Sequence, residues 1–267
     1  MSEPGGGTRP LTGRKILVTR SPDQAGEFSN LLREQGAEVV QVSLIRFEPP
    51  ASWEVADRAI DRLDLYSVIL FTSANAVEFL LRRLVSKGAD AEALAGKTLA
   101  AIGPKTAEAL RNRGLGVEIV AEEFVGEGLL AALRERSIEG MEILIPRAQE
   151  AREVLAEELG KRGARVTVAP VYRTVRADEN RAALISALQA GVYLVTFTAS
   201  STVRHFMDLL GSEAPALMRG VRVACIGKIT ADTARARGLA VDLVPSRSTV
   251  ADLATAIAGY FPTPRPS

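Results

Sequence analysis

The chain repeats its own pattern at long range, and a repeated pattern must fold into two similar structures or interleave them. ILVTR at Ile16–Arg20 returns as ILIPR at Ile143–Arg147, with Arg20 and Arg147 spaced by 127 residues. Gly36 and Ala37 return as Gly163 and Ala164 at the same spacing. Phe71, Thr72 and Val77 return as Phe197, Thr198 and Val203, now spaced by 126. Ala101, Ile102, Gly103, Thr106, Ala107 and Gly114 return as Cys225, Ile226, Gly227, Thr230, Ala231 and Gly238, spaced by 124. Loop insertions produce such a drift. The two copies predict two similar lobes with a cleft between them, a usual place for a small-molecule site.

Each copy alternates short apolar runs with longer helical patterns. Strands are expected at Lys15–Thr19, Glu38–Val42, Val68–Phe71, Thr98–Ile102 and Val117–Val120. In the second copy they are expected at Glu142–Ile145, Arg165–Ala169, Tyr193–Phe197, Arg222–Ile226 and Val241–Val244. Ser21 offers a side-chain N-cap, Pro22 suits the first helical position, and Gly36 stops that helix. Further helices start near Ala74, Lys105 and Gly126. Strand–helix alternation with near-continuous apolar strands predicts an α/β fold: parallel sheets covered on both faces, as two doubly wound, flavodoxin-like lobes of five strands each.

Such sheets bind ligands beyond the carboxyl ends of their strands. Those ends carry Thr19 and Arg20, Thr72–Asn75 with Ser73, Gly103–Thr106, Pro146 and Arg147, Thr198–Thr202 with Ser200 and Ser201, and Gly227–Thr230 with Lys228. Each is expected to open a helix, and so to present free backbone N–H groups and the positive end of a helix dipole, which hold carboxylates or phosphates. Any single turn of this kind reads first as an ordinary cap. Six of them in paired positions point to binding.

Composition narrows the chemistry. The net charge of +1 offers no basic field for nucleic acid. The single Cys225 and single His205 exclude an internal disulfide, a thiolate metal cluster and a His-rich zinc site, and disfavour a histidine triad. Cys225 reads as a buried strand residue and His205 as a surface or packing residue of a helix. No apolar run reaches membrane-spanning length. Met1–Gly13 reads as a disordered leader and Pro262–Ser267 as an irregular tail. No dinucleotide fingerprint, Walker A loop, zinc-protease motif or nucleophile elbow occurs, and Gly126-Glu127-Gly128 lacks the third glycine of the first of these. The expectation is a cytoplasmic, soluble, metal-free protein, monomeric, with no nucleic-acid or membrane partner.

The copies are most informative where they differ. Aligned on the strand that ends each pattern, Ile45 in the first copy stands against Tyr172 in the second, and an arginine follows both. A phenol is protonated at neutral pH and can serve as a proton donor. An edge tyrosine that packs its ring and wets its hydroxyl is the other reading.

These segments resemble the uroporphyrinogen-III synthase family. The resemblance rests on LVTR at Leu17–Arg20, FTSANAV at Phe71–Val77, AIGPKTA at Ala101–Ala107, VYRT at Val171–Thr174, FTASSTV at Phe197–Val203 and IGKITA at Ile226–Ala231, and it spans about Gly13 to Tyr260. It implies that hydroxymethylbilane, a linear tetrapyrrole polycarboxylate, is closed to uroporphyrinogen III with inversion of ring D and loss of water. No cofactor is implied. The family chemistry runs through an azafulvene cation and a spiro intermediate. The resemblance also redraws the lobes: residues 1–45 with 176–267 form one and 46–175 the other, joined by two linking strands, with the active site between them. Tyr172 would assist departure of the hydroxyl. Thr72, Ser73, Asn75, Gly103, Thr106, Thr198, Ser200, Ser201, Gly227 and Thr230 would bind substrate carboxylates, largely through backbone N–H groups. Arg147 would add a cationic contact, and Arg20 a weaker one. Lys228 stands where many relatives have proline; it either contacts a carboxylate or faces solvent. A non-catalytic two-lobed sensor of an anionic metabolite is the competing expectation, since fold alone does not set function. A small-molecule transferase is a further rival, but it would need a donor site that the sequence does not show.

Overall fold

The computed structural model describes residues 9–121, 126–134, 136–150 and 154–261. The chain divides into two compact units, Met1–Arg46 with Arg176–Ser267, and Phe47–Val175. Neither unit coincides with one copy of the repeat. The first takes the opening of the first copy and the close of the second, so the simple equation of copy with lobe does not hold.

The strands are β1 (Lys15–Val18), β2 (Glu38–Gln41), β3 (Ile45–Glu48), β4 (Val68–Phe71), β5 (Thr98–Ala101), β6 (Ile119–Val120), β7 (Glu142–Ala148), β8 (Arg165–Arg176), β9 (Leu194–Phe197) and β10 (Arg222–Cys225). The helices are α1 (Pro22–Glu34), α2 (Glu54–Asp61), α3 (Ala74–Ser86), α4 (Pro104–Arg111), α5 (Gly126–Ala132), α6 (Val154–Lys161), α7 (Arg181–Gln189), α8 (Ser200–Leu210), α9 (Ala214–Leu217), α10 (Lys228–Ala236) and α11 (Val250–Tyr260). One sheet runs β10-β9-β1-β2 and the other β3-β8-β7-β4-β5-β6. β1 pairs in parallel with β2 and β9, and β4 with β5 and β7.

Both faces of each sheet are covered, which is why the strands read as continuous apolar runs. Side chains alternate across a strand. Ile69 and Phe71 therefore pack with Leu80 and Leu84 of α3 on one face, while Val68 and Leu70 pack with Leu129 and Leu159 on the other. In the first unit Leu17, Val195 and Phe197 pack with Phe206 of α8, and Ile16, Val18 and Leu194 pack with Phe28 and Ile257.

Four sequence expectations need correction. The Ser21 side chain does not cap α1; its hydroxyl is buried, and the turn closes instead through backbone bonds from Gln24 and Ala25 to the Ser21 carbonyl. Within the expected leader, Arg9–Gly13 is ordered, because Leu11 is fully buried and its N–H bonds to the Gln35 carbonyl at 2.9 Å. The rest of that leader, residues 1–8, and the tail at 262–267 lie outside the described residues. The strand expected at Val241–Val244 is a single parallel bridge, Ala224 with Leu243, so among the described residues the first sheet has four strands, not five. The Asp242 carboxylate accepts the Val223 N–H at 2.8 Å, a side-chain competitor for the ladder. Finally, β7 and β8 continue past Pro146 and Pro170. Pro146 lies beyond the stretch where β4 pairs with β7, so no ladder bond is lost on that side. Pro170 falls at a register shift, where Arg147 pairs with Pro170 and Ala148 with Tyr172.

Gly36 follows the C-terminal turn of α1 at φ +96°, and a Cβ there would meet Arg9 Cβ and Thr12 Oγ1 at 2.8 Å. The stop residue thus also admits the segment that carries Leu11.

The ion pair between α2 and α3 provides a pH-dependent test of this packing. Arg83 donates Nε to Asp57 Oδ1 at 2.7 Å and Nη2 to Oδ2 at 2.6 Å, with its guanidinium 4.8 Å from the Trp53 ring. The Arg83 hydrogen bonds hold the Asp57 carboxyl below its ordinary value. A carboxylate depressed in the folded state stabilises above the ordinary carboxylate range and loses that contribution as pH falls through the depressed value. Asp57→Asn is expected to cost about 0.5–1 kcal/mol at neutral pH. Urea unfolding at decreasing pH should show the gap between variant and wild type closing.

Candidate functional site

In the second unit, the parallel strands β4, β5, β7 and β8 bring their carboxyl ends to one edge of the sheet. Phe71 leads into Thr72 and Ser73, and α3 begins at Ala74. Ser73 is the N-cap, extended at φ −167° and ψ 156°, and its Oγ accepts the Ala76 N–H at 3.0 Å. Within β8, level with the last residue of β7, the Tyr172 hydroxyl lies 3.1 Å from Ser73 Oγ. The Tyr172 ring stacks on Phe79 of α3 at 5.5 Å and meets the edge of Phe47 at 5.6 Å. Only 7% of the residue is exposed. Thr72 and Asn75 are half-buried in the same turn.

The neighbouring turn places Gly103 as the N-cap of α4, without a side-chain cap bond, and buries Thr106. Arg147 is buried at the end of β7, level with Pro170. Beyond it, Arg173 Nη2 pairs with Glu48 at 3.0 Å.

In the first unit, the equivalent edge carries Thr198 after β9 and Gly227 after β10. Ser200 Oγ donates to the Ile229 carbonyl at 3.3 Å, and Thr233 Oγ1 donates to Ser200 Oγ at 2.9 Å. The first turns of α8 and α10 are thereby joined. Thr198 and Ser201 are half-buried, Thr230 is buried, and Lys228 is exposed. Gly227 lies against Ser248: a Cβ there would come within 2.3 Å of Ser248 Oγ, so the hydroxyl would have to turn away. Thr19 Oγ1 donates to the Thr196 carbonyl at 2.8 Å and so ties β1 to β9.

Several participants were not singled out by sequence. Phe79 sits six residues after Ser73 on α3, and only the tertiary fold shows that it stacks on Tyr172. Phe47 and Ser248 gave no local signal. Thr233 is recognisable afterwards, one helical turn beyond Ile229. Cys225 is buried in β10, and burial pushes its thiol up to about 12, so it is not a thiolate at neutral pH. His205 is half-buried on α8, and desolvation lowers its imidazole below the ordinary value. Among the described residues, no helix is long and apolar enough to cross a membrane.

The strand-end turns and Tyr172 fall within a family model described as Uroporphyrinogen-III synthase HemD, which matches residues 26–255. This chain belongs to the uroporphyrinogen-III synthase family. It is similar to the uroporphyrinogen-III synthase of Synechococcus elongatus, at 33% identity over 84% of this chain and 87% of that protein. Among solved structures, the uroporphyrinogen-III synthetase of Helicobacter pylori matches at 18% identity and TM-score 0.58, over 92% of this chain and 98% of that one. A mutant uroporphyrinogen III synthase of Thermus thermophilus matches at 21% identity and TM-score 0.54, over 93% and 98%. At those identities the two structures establish the shared α/β fold, while the sequence matches carry the family, an enzyme family of porphyrin biosynthesis.

Proposed function

We propose that this protein closes hydroxymethylbilane to uroporphyrinogen III with inversion of ring D and release of water. Beside the family match, the reading is carried by the Tyr172 hydroxyl, held 3.1 Å from Ser73 at the strand-end edge of its sheet. A phenol fixed there can give its proton to the departing hydroxyl of the bilane. The strand-end turns of both units would hold the acetate and propionate carboxylates of one substrate, through the N–H groups that open α3, α4, α8 and α10. Ser73, Asn75, Gly103, Thr106, Ser200, Ser201, Gly227 and Thr230 belong to those turns, with Thr72 and Thr198 just before them. Arg147 would add positive charge, and exposed Lys228 can reach a carboxylate.

The chemistry suits such weak, distributed donors. A bilane restrained by nothing closes without inversion, so the protein's main work is to hold one folded conformer. That is catalysis by orientation, assisted by stabilisation of a cationic intermediate. The discontinuous lobes, 1–45 with 176–267 and 46–175, follow the same reading. The order β2-β1-β9-β10 and the order β8-β7-β4-β5-β6 are both the 2-1-3-4-5 flavodoxin-like sequence once each lobe is counted from its own repeat start, the first lacking a full fifth strand.

The test supplies purified protein with hydroxymethylbilane, oxidises the products and resolves the isomers. Isomer III is expected as the main product. Isomer I alone, formed at the rate seen without protein, would overturn the proposal and favour a binding protein.

A further inference from the structure

We infer that Ile229 is an apolar contact for the tetrapyrrole: held at the strand-end edge of the first unit, its side chain packs on a pyrrole ring while Lys228 beside it meets a carboxylate. This rests on the substrate proposed above.

Ile229 breaks the ordinary pattern of a surface helix. It is 80% exposed, more than any other large apolar side chain among the described residues, with Val85 next at 65%. α10 buries Thr230, Ala231 and Ala234. At about 3.6 residues per turn, Ile229 projects from the opposite side. Its exposed neighbours there, Lys228, Asp232 and Arg235, are all charged. A β-branched side chain also adds nothing to helix propensity. Neither core packing nor helix formation accounts for an isoleucine at this position.

A lone exposed apolar side chain is ordinary on a protein surface. This one differs in where it stands, what it replaces and how it is held. It lies in the first turn of α10, the turn that follows β10, at the edge where parallel sheets take their ligands. The first helical bond of α10 runs from the Ala231 N–H to the Gly227 carbonyl at 3.0 Å, so the N–H groups of Lys228, Ile229 and Thr230 take no part in helical bonds. Aligning Ile102-Gly103 on Ile226-Gly227 sets Ile229 against Lys105, which is exposed, and Lys228 against Pro104. Each turn therefore carries one lysine, but only α10 sets a large apolar side chain next to it.

The backbone under Ile229 is tied on two sides. Its carbonyl accepts from Ser200 Oγ at 3.3 Å and lies 2.9 Å from Thr233 Oγ1, and the two hydroxyls are 2.9 Å apart. Ser200 opens α8 and Thr233 belongs to the next turn of α10, so both helices fix the residue. A contact residue already held in place loses little freedom when its ligand arrives.

The chemistry of a bilane matches this pairing. Its carboxylate arms project from flat rings joined by methylene bridges, and the ring faces are apolar. The strand-end turns offer N–H groups, hydroxyls and cations, which suit the arms alone. Ligand sites combine such groups with apolar lining, and Ile229 supplies it directly beside a cation. Contact with a ring takes apolar surface of both partners out of water. A protein partner would need a continuous apolar patch, whereas the neighbours of Ile229 are charged.

Initial rates of isomer III formation test the inference in Ile229→Ser, Ile229→Leu and Lys228→Ala. Full burial of an isoleucine is worth about tenfold to a hundredfold in a binding constant. Contact on one side sets the expected rise in KM for Ile229→Ser at about tenfold. Its kcat should change little, because the ring contact is made in ground and transition states alike. Ile229→Leu keeps the apolar bulk and should recover most of the affinity. Added salt should leave the ratio of Ile229→Ser to wild type unchanged, while Lys228→Ala should approach wild type as its carboxylate contact is screened. Because the side chain is exposed, the urea midpoints of Ile229→Ser and wild type should coincide, which separates the effect from a folding loss. A wild-type KM in Ile229→Ser, or a loss that vanishes at high salt, overturns the inference. So does a wild-type dimer that Ile229→Ser dissociates, since the side chain then serves an interface between copies. If the wild-type protein yields isomer I alone, it is the proposed substrate that fails.

Discussion

Tyr172→Phe is expected to lower turnover by about 10²–10⁴-fold, the range over which a positioned general acid acts. Phenylalanine keeps the ring that stacks on Phe79 and meets the edge of Phe47, so the core around β8 is retained. Only the oxygen is lost, together with its contact to Ser73. In the proposed reading the substrate carboxylates are held largely by backbone N–H groups of the helix N-terminal turns, which the substitution leaves in place, so KM should change little. A fall in kcat with KM preserved identifies an interaction made in the transition state, whereas a rise in KM alone would identify a ground-state contact. Initial rates of isomer III formation across a range of hydroxymethylbilane concentrations make the distinction. Unchanged kcat would reduce Tyr172 to a packing residue.

The second large effect is on stability. Phe197→Ala should reduce the free energy of unfolding by about 3–5 kcal/mol, the usual cost of truncating a buried phenylalanine. Phe197 is fully buried at the end of β9, which lies between β1 and β10. Its ring meets Phe206 edge-to-face at 5.1 Å and 81°. The surrounding side chains come from both sheet and helices, so the cavity cannot close by moving one element. Urea unfolding followed by far-ultraviolet circular dichroism gives the value directly. A loss below about 1 kcal/mol would mean that the site collapses freely, contrary to the packing described. Thr198 follows immediately, so a stabilising ligand that binds the native state should recover part of the loss by mass action.

Much of the fold was legible because its strands are buried on both faces. Runs such as Val68–Phe71 and Leu194–Phe197 carry no polar side chain except Thr196, whose hydroxyl is satisfied by the Leu17 carbonyl at 3.1 Å. Helix starts after those runs were equally plain. The errors came where a side chain or an imino acid altered the ladder. Asp242 displaced a strand by taking a backbone N–H, and Pro170 concealed a strand that runs on through a register shift. Leu11 was hidden by its Gly- and Pro-rich surroundings; it packs in the cluster of Ile16, Phe28 and Leu32, and its flanking residues Arg9 and Thr12 fit against Gly36.

The candidate site divides in the same way. Tyr172 stood out because the repeat offered Ile45 as its control, and the hydroxylic turns stood out because each follows a strand. The residues that act on Tyr172 did not. Ser73 and Tyr172 are 99 positions apart, and Phe79 and Phe47 belong to different elements. Local periodicity determined the α/β class and the turns that open helices, and the long-range repeat picked out the odd tyrosine. Only the tertiary structure decided that β8 lies beside β7 and β7 beside β4, and hence that the phenol meets the cap of α3. Side-chain alternation specifies which face of a strand is buried, but long-range pairing specifies its neighbours, and that choice is made by the packing of the whole sheet.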